Sequence, residues 1–453
     1  MIPDPFTNDL TAALLGDGDC AELLSARRLI ARMVEVEAAL ATCQGKAGII
    51  PQEAAAAIRQ HLAGVTVDPA RLAAGLAKDG VPIPALLVEL RRDMPPQLAG
   101  WLHWGATSQD IVDTAMVLAL RDVADLLISR LNGLARKALA LALAHADTPI
   151  AARTRMQVAV PTSLGLTFAG WADALDRRAT AMQAARKQIA TLQLGGAAGN
   201  LAALGDAGPQ LIDSLAEMLG LAAPALPWHT HRDRMVGFGQ ALTLTAGVGG
   251  KIGQDLILLG QSEVAELKAG TGGGSSTMPN KANPVLAEGM VALARMAAAR
   301  SGELAGTMLQ ALERDGAAWT QEWLVLPGLA MAACAVMAKL GVALDTLSVD
   351  AGRMRANLLA GGAPALAEAA SFALAGHMPR AQASALVAQA AATAVAQGVP
   401  LPEILRGMTD APLDWAKLSD PASHIGPAHA LIARLTARLD KALNSEDISD
   451  KDN

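Results

Sequence analysis

Gly270-Thr-Gly-Gly-Gly-Ser275-Ser276-Thr277-Met278-Pro279-Asn280-Lys281-Ala-Asn283-Pro284 sets two serines, a lysine and two asparagines directly behind a glycine run. Glycines open backbone conformations closed to other residues. Asn283 before Pro284 reads as a helix N-cap and first helical residue, so the stretch ends against a positive helix terminus. Such a terminus favours an anionic ligand. A serine beside amide donors, a helix terminus and Lys281 can give or take a proton. Glycine hinges suit a lid that closes over it. The plainer reading of a Gly/Ser run is a solvated linker, but a linker needs none of the Met-Pro-Asn-Lys-Ala-Asn-Pro continuation.

Three further clusters interrupt otherwise bland sequence. In His103-Trp-Gly-Ala-Thr107-Ser108-Gln109-Asp110, Thr107 or Ser108 caps the following helix and Asp110 complements its dipole. Capping alone does not use His, Thr, Ser and Gln together, a set that suits a bound carboxylate. Arg153-Thr154-Arg155-Met156-Gln157 offers two arginines that either fork onto an anionic substrate or form a surface pair, with Pro161 opening a helix behind them. Trp228-His229-Thr-His231-Arg232-Asp233-Arg234 reads as a helix start with a polar edge, because no carboxylate or Cys at helical spacing completes a metal site. No Ser-His-Asp signature, nucleotide-binding Gly-x-Gly-x-x-Gly or Gly-Lys-Ser/Thr accompanies these segments.

The elements that position them are helical. Of 453 residues, 52% are apolar but only 2% aromatic, with no Tyr, so the core must be Ala, Leu, Val and Met in closely packed helices. Net charge of −6 gives no footprint for nucleic acid or anionic membrane. Cys20, Cys43 and Cys334 lack paired spacing and read as buried free thiols of a reducing cytoplasm. Without a signal-like N-terminus, and with Pro327 inside the most apolar run at 324–338, the chain reads as soluble. Short, broken helices over 1–104 predict an N-terminal domain, with the prolines at 81–84 in extended chain. Long helices at about 111–146, 162–193, 233–268, 284–312 and 319–347 predict a central bundle over 105–350, in which Gly247, Gly249, Gly250 and Gly253 allow close approach. Shorter helices over 351–453 predict a third domain, with a disordered polar tail from 444. No strand pattern is evident, and the expected fold is all-α.

These segments, in this order, resemble the fumarase/aspartase superfamily, the 270–284 run being similar to its signature loop. His103-Trp-Gly-Ala-Thr-Ser-Gln-Asp110, Gly195-Gly-Ala-Ala-Gly199, Trp228-His-Thr-x-Arg232-Asp-Arg234 and Glu313-Arg-x-x-Gly-x-Trp319-x-x-Glu322-Trp323 resemble its bacterial 3-carboxy-cis,cis-muconate cycloisomerases. The resemblance implies three helical domains and a homotetramer whose active sites each draw on three subunits. It implies cofactor-free lactonisation of a 3-substituted cis,cis-muconate in aromatic catabolism, through an aci-carboxylate that cationic and amide donors stabilise. Ser275 would be the proton-transfer residue, with Lys281 and Asn283 holding carboxylate and intermediate. Thr107 and Ser108, helped by His103, would hold a carboxylate. Arg153, Thr154, Arg155, Gln157, Ser276, Thr277, Met278 and Asn280 would line the substrate, and Glu263 would support the site.

Several positions depart from the pattern. Val158, Asn280 and Leu312 stand where histidines are usual, Ala282 where an arginine is usual, and Asn200 replaces a threonine. Arg155 stands nearer Thr154. The changes suggest a retuned anion pocket, such as one for a 3-sulfo substituent, which an added arginine would suit. Two rival readings are a β-elimination of the adenylosuccinate lyase type and a non-catalytic, crystallin-like structural protein.

Overall fold

A computed structural model describes residues 6, 8–270, 272–274, 277–278 and 281–449, the last nine as backbone only. Local signals set the N-terminal helices. Ser25 accepts from the Arg28 amide to cap α1 (Ala26–Lys46), whose buried face carries Met33, Val36 and Leu40 but also Glu37 and Gln44. Asp68 caps Pro69–Asp79, which Gly80 closes at φ +72°. The prolines at 82 and 84 start a helix, Ile83–Arg91, where extended chain was expected. Proline's fixed φ and missing N–H suit a first helical turn as well as they suit extended chain.

Five long helices follow: α2 (Ser108–Ala144), α3 (Leu164–Ile189), α4 (Asp233–Leu259), α5 (Val285–Gly306) and α6 (Gly316–Asp345). A Cβ on Gly249 would overlap Val336, and one on Gly253 would lie 3.0 Å from the Ala287 carbonyl, so both allow close approach; Gly247 has no such neighbour. The apolar run at 324–338 lies inside α6, which is long and apolar enough to cross a membrane, yet 67% of its most apolar window is buried within the protein. α4 ends nine residues before the expected 268, and the chain turns through Ala265 at φ +50°.

Among the described residues four short strands correct the expectation of none. β1 (Pro149–Thr154) and β2 (Gln157–Ser163) form an antiparallel hairpin running from Pro149↔Ser163 to Thr154↔Gln157. β3 (Leu267–Lys268) pairs antiparallel with β4 (Ser348–Val349). Pro161 therefore lies in a strand, and α3 opens only at Leu164. The hairpin turn is Arg155-Met156, both left-handed at φ +50° and +67°. Two-residue turns of that geometry normally use Asn-Gly, so the sequence carries no turn signal there. The tail also differs. Helix Ala428–Ser449 takes in residues 444–449, since extending a formed helix avoids the cost of nucleation.

The chain divides into two compact units. One comprises the residues up to Arg130, Arg178–Gly250 and Ala292–Ala338; the other comprises Leu131–Arg177, Lys251–Val291 and the residues from Lys339 onward. Described residues of 1–104 fall in the first unit and those of 351–453 in the second, while 105–350 is shared between them because each long helix has residues in both. Alanines and leucines fill the cores, as with Ala370, Leu374, Ala383, Ala390, Leu401 and Leu405 in the second unit. Cys20, Cys43 and Cys334 are free and buried.

Candidate active site

In the first unit the site begins at the N-terminus of α2. Asp110 and Asp113, three residues apart, share one face of an apolar helix. Asp110 reaches back to the Thr107 amide at 2.9 Å, the return half of a capping box. It also accepts from the Gly195 and Gly196 amides at 2.8 and 2.9 Å and pairs with His229 Nε2 at 2.7 Å. Four partners thus lock the Thr107–Ser108 turn to the glycine loop. Glycine is required at 195, where a Cβ would come within 2.8 Å of the His229 ring. Thr107 and Ser108 are half-buried, and their hydroxyls make no hydrogen bond among the described residues. Unengaged hydroxyls at the N-terminus of a 37-residue helix are donors of the kind that suits an anion.

Beneath it lies a buried ion network. Arg232 forks onto Asp113 at 2.7 and 3.2 Å and onto Glu322 at 2.8 and 2.5 Å. Trp319 Nε1 donates to Asp113 at 2.9 Å, and Gln109 donates to Asp113 at 3.1 Å and to the His229 carbonyl at 3.0 Å. Burial opposes the charge of Arg232, but the Asp113 and Glu322 carboxylates outweigh it and hold the guanidinium above its ordinary pKa. Burial lifts the Glu322 carboxyl, against the pull of Arg232. The two directions conflict, and the two-point contact favours the ionised carboxylate. His229 and Arg232 are therefore interior groups, not a polar edge.

In the second unit, Gly273 and Asn283 exchange backbone hydrogen bonds at 2.8 and 2.9 Å and close the signature segment into a loop. A Cβ on Gly272, at φ +74°, would lie 2.8 Å from that of Ala282, and one on Gly273 would lie 2.5 Å from Val285. These two glycines are demanded by packing at the loop base. Lys281 is exposed and Asn283 half-buried, while Thr277 and Met278 are exposed. Ser275, Ser276 and Asn280 lie outside the described residues. α5 starts at Val285, one residue past the expected start.

Arg153 is neither an open anion fork nor a surface pair. It grips the wholly buried Glu266 at 2.7 and 2.8 Å, and Asn357 Nδ2 donates to the same carboxylate at 2.7 Å. Glu263, expected to support the site, is exposed; its carbonyl accepts from Arg353. The interior carboxylate of that segment is Glu266, three residues on. Thr154, Arg155, Gln157 and Val158 are exposed around the hairpin turn, and Leu312 is 86% exposed at φ +51°.

A profile of a lyase family matches residues 20–299. The chain belongs to this family, part of the fumarase/aspartase superfamily. It is 40% identical over 446 residues to the 3-carboxy-cis,cis-muconate cycloisomerase of Pseudomonas aeruginosa, covering 96% of this chain and 97% of that one. Identity to the enzyme of that name from Bradyrhizobium diazoefficiens is 37% over 443 residues, covering 95% and 98%. The crystal structure of 3-carboxy-cis,cis-muconate lactonizing enzyme from Pseudomonas putida matches with a TM-score of 0.90 at 37% identity, covering 96% of this chain and 99% of that one.

In this lyase-family chain, His103, Thr107 and Ser108 belong to the first unit, and the hairpin and signature loop belong to the second. The buried contacts of Glu37, Asp113, Glu266 and Asn357 were not anticipated. Asp113 had a readable signal, a second acid at i+3 from Asp110 within an apolar helix. Glu37, Glu266 and Asn357 had none, because their partners lie 66 to 113 residues away.

Proposed function

We propose that the chain is a cofactor-independent cycloisomerase that lactonises a 3-substituted cis,cis-muconate from aromatic-ring catabolism. One substrate carboxylate adds across its own double bond, forming a C–O bond. The displaced electron pair goes to the carbon beside another carboxylate, giving an aci-carboxylate that takes up one proton; nothing leaves. Ser275 moves that proton. Lys281 and Asn283 carry the developing charge, and Thr107 and Ser108 hold a carboxylate. The turn of unengaged hydroxyls locked by Asp110 supports this reading most directly, since it offers donors and no nucleophile–base pair. A homotetramer whose sites combine segments of three subunits goes with it, supported by large apolar side chains exposed on the long helices at Leu143, Leu244, Leu324 and Val342. The buried free thiols fit a cytoplasmic setting.

A second reading, a 3-sulfomuconate substrate, rests on Arg155, exposed at a turn whose left-handed backbone is uphill for a non-glycine residue. Loss of diene absorbance, followed with the 3-carboxy and 3-sulfo compounds, tests both. Arg155→Met is expected to lower kcat/KM for the 3-sulfo compound about tenfold more than for the 3-carboxy compound. Equal impairment removes the basis for the sulfonate reading. If both dienes persist while adenylosuccinate is cleaved, the chain is a β-eliminating lyase; if nothing reacts, the structural-protein reading stands.

A further inference from the structure

His103 is held on every side. Its backbone is left-handed at φ +68°, an uncommon state for a residue with a side chain. The carbonyls flanking it are gripped, Leu102 by Arg91 at 2.8 Å and Trp104 by Gln44 at 2.6 Å. Its ring nitrogen Nδ1 lies 2.6 Å from Oε1 of Glu37, a wholly buried acid on α1. Glu37 Oε2 is buried with no partner. A carboxylate stripped of water and given one hydrogen bond is costly unless its partner balances the charge. The His103 ring supplies that partner through Nδ1, which leaves its Nε2 without a partner among the described residues. The half-buried Thr107–Ser108 turn begins four residues on.

We propose that Glu37 is a positioning residue: it fixes the His103 ring through Nδ1 so that Nε2 is presented to the substrate carboxylate taken at the Thr107–Ser108 turn. This role rests on the muconate reading above. A packing role alone would leave Glu37 indifferent to substrate. The positioning role makes its effect pass through His103.

Steady-state kinetics on the full chain with 3-carboxy-cis,cis-muconate test it. Glu37→Gln is expected to raise KM about tenfold with kcat nearly unchanged, because the lost interaction is made with bound substrate as well as with the transition state. Glu37→Asp recovers part of the KM. Glu37→Gln adds nothing in a His103→Asn background, since partners in one network are not additive. Thermal melts of each variant separate folding loss, which lowers the active fraction and hence kcat. A wild-type KM in Glu37→Gln, or independent multiplication of the two effects, overturns the role. If Glu37→Gln does not fold, Glu37→Asp with a wild-type KM overturns it equally. No turnover by the wild type overturns the muconate reading and this role together.

Discussion

Replacing Arg232 with methionine is expected to lower the unfolding free energy by about 3–5 kcal/mol, a large share of the stability of an ordinary domain. The guanidinium is fully buried and is the cation holding both Asp113 and Glu322. Methionine fills much of the volume but leaves two carboxylates without their charge partner. Burial already lifts the Glu322 carboxyl above its usual range, and losing Arg232 drives it toward the neutral acid. Lysine is not expected to rescue, because a point charge cannot fork onto two acids. The surface pair Arg355–Asp420 provides the contrast. Both side chains are about half exposed, and removing either is expected to cost under about 1 kcal/mol. Urea midpoints for the variants check the difference, and near-equal midpoints would show that the Arg232 network is dispensable.

Ser275→Ala is expected to lower kcat by about 10³-fold, the middle of the range for a general acid or base. The reaction breaks no bond to a leaving group, so its barrier resides in adding oxygen and delivering one proton to carbon. In the proposed role of Ser275 its loss strikes that step directly, whereas losing a binding group raises KM. The melting temperature should stay near wild type, because the described loop base is fixed by the Gly273–Asn283 pairing and by Gly272 and Gly273 packing on Ala282 and Val285. Activity within a few-fold of wild type, at an unchanged melting temperature, would remove Ser275 from the chemistry.

What could be read from the sequence was local. Asp68 and Gly80 bound one helix as their types demand, because a cap depends on atoms a few residues away. Long helix-forming stretches became α2 to α6, although α4 carries several glycines and α6 carries Pro327. The hairpin 149–163 was hidden because Arg155-Met156 occupy positions that turn chemistry assigns to Asn-Gly. Arg153 looked like a substrate anchor because its partner, Glu266, is 113 residues away. Glu263 and Glu266 are the same residue type three positions apart, and only tertiary packing exposes one and buries the other. Glu37 was invisible for the same physical reason. An acid on an apolar helix face has no partner until the chain folds, and here that partner is 66 residues on.

The proposed lactonisation delivers one proton to one carbon. The wild-type enzyme, incubated in D₂O with 3-carboxy-cis,cis-muconate, should give a lactone carrying a single deuterium at the carbon beside a carboxylate, on one face only by proton NMR. An unchanged diene, or deuterium spread over both faces, would contradict it.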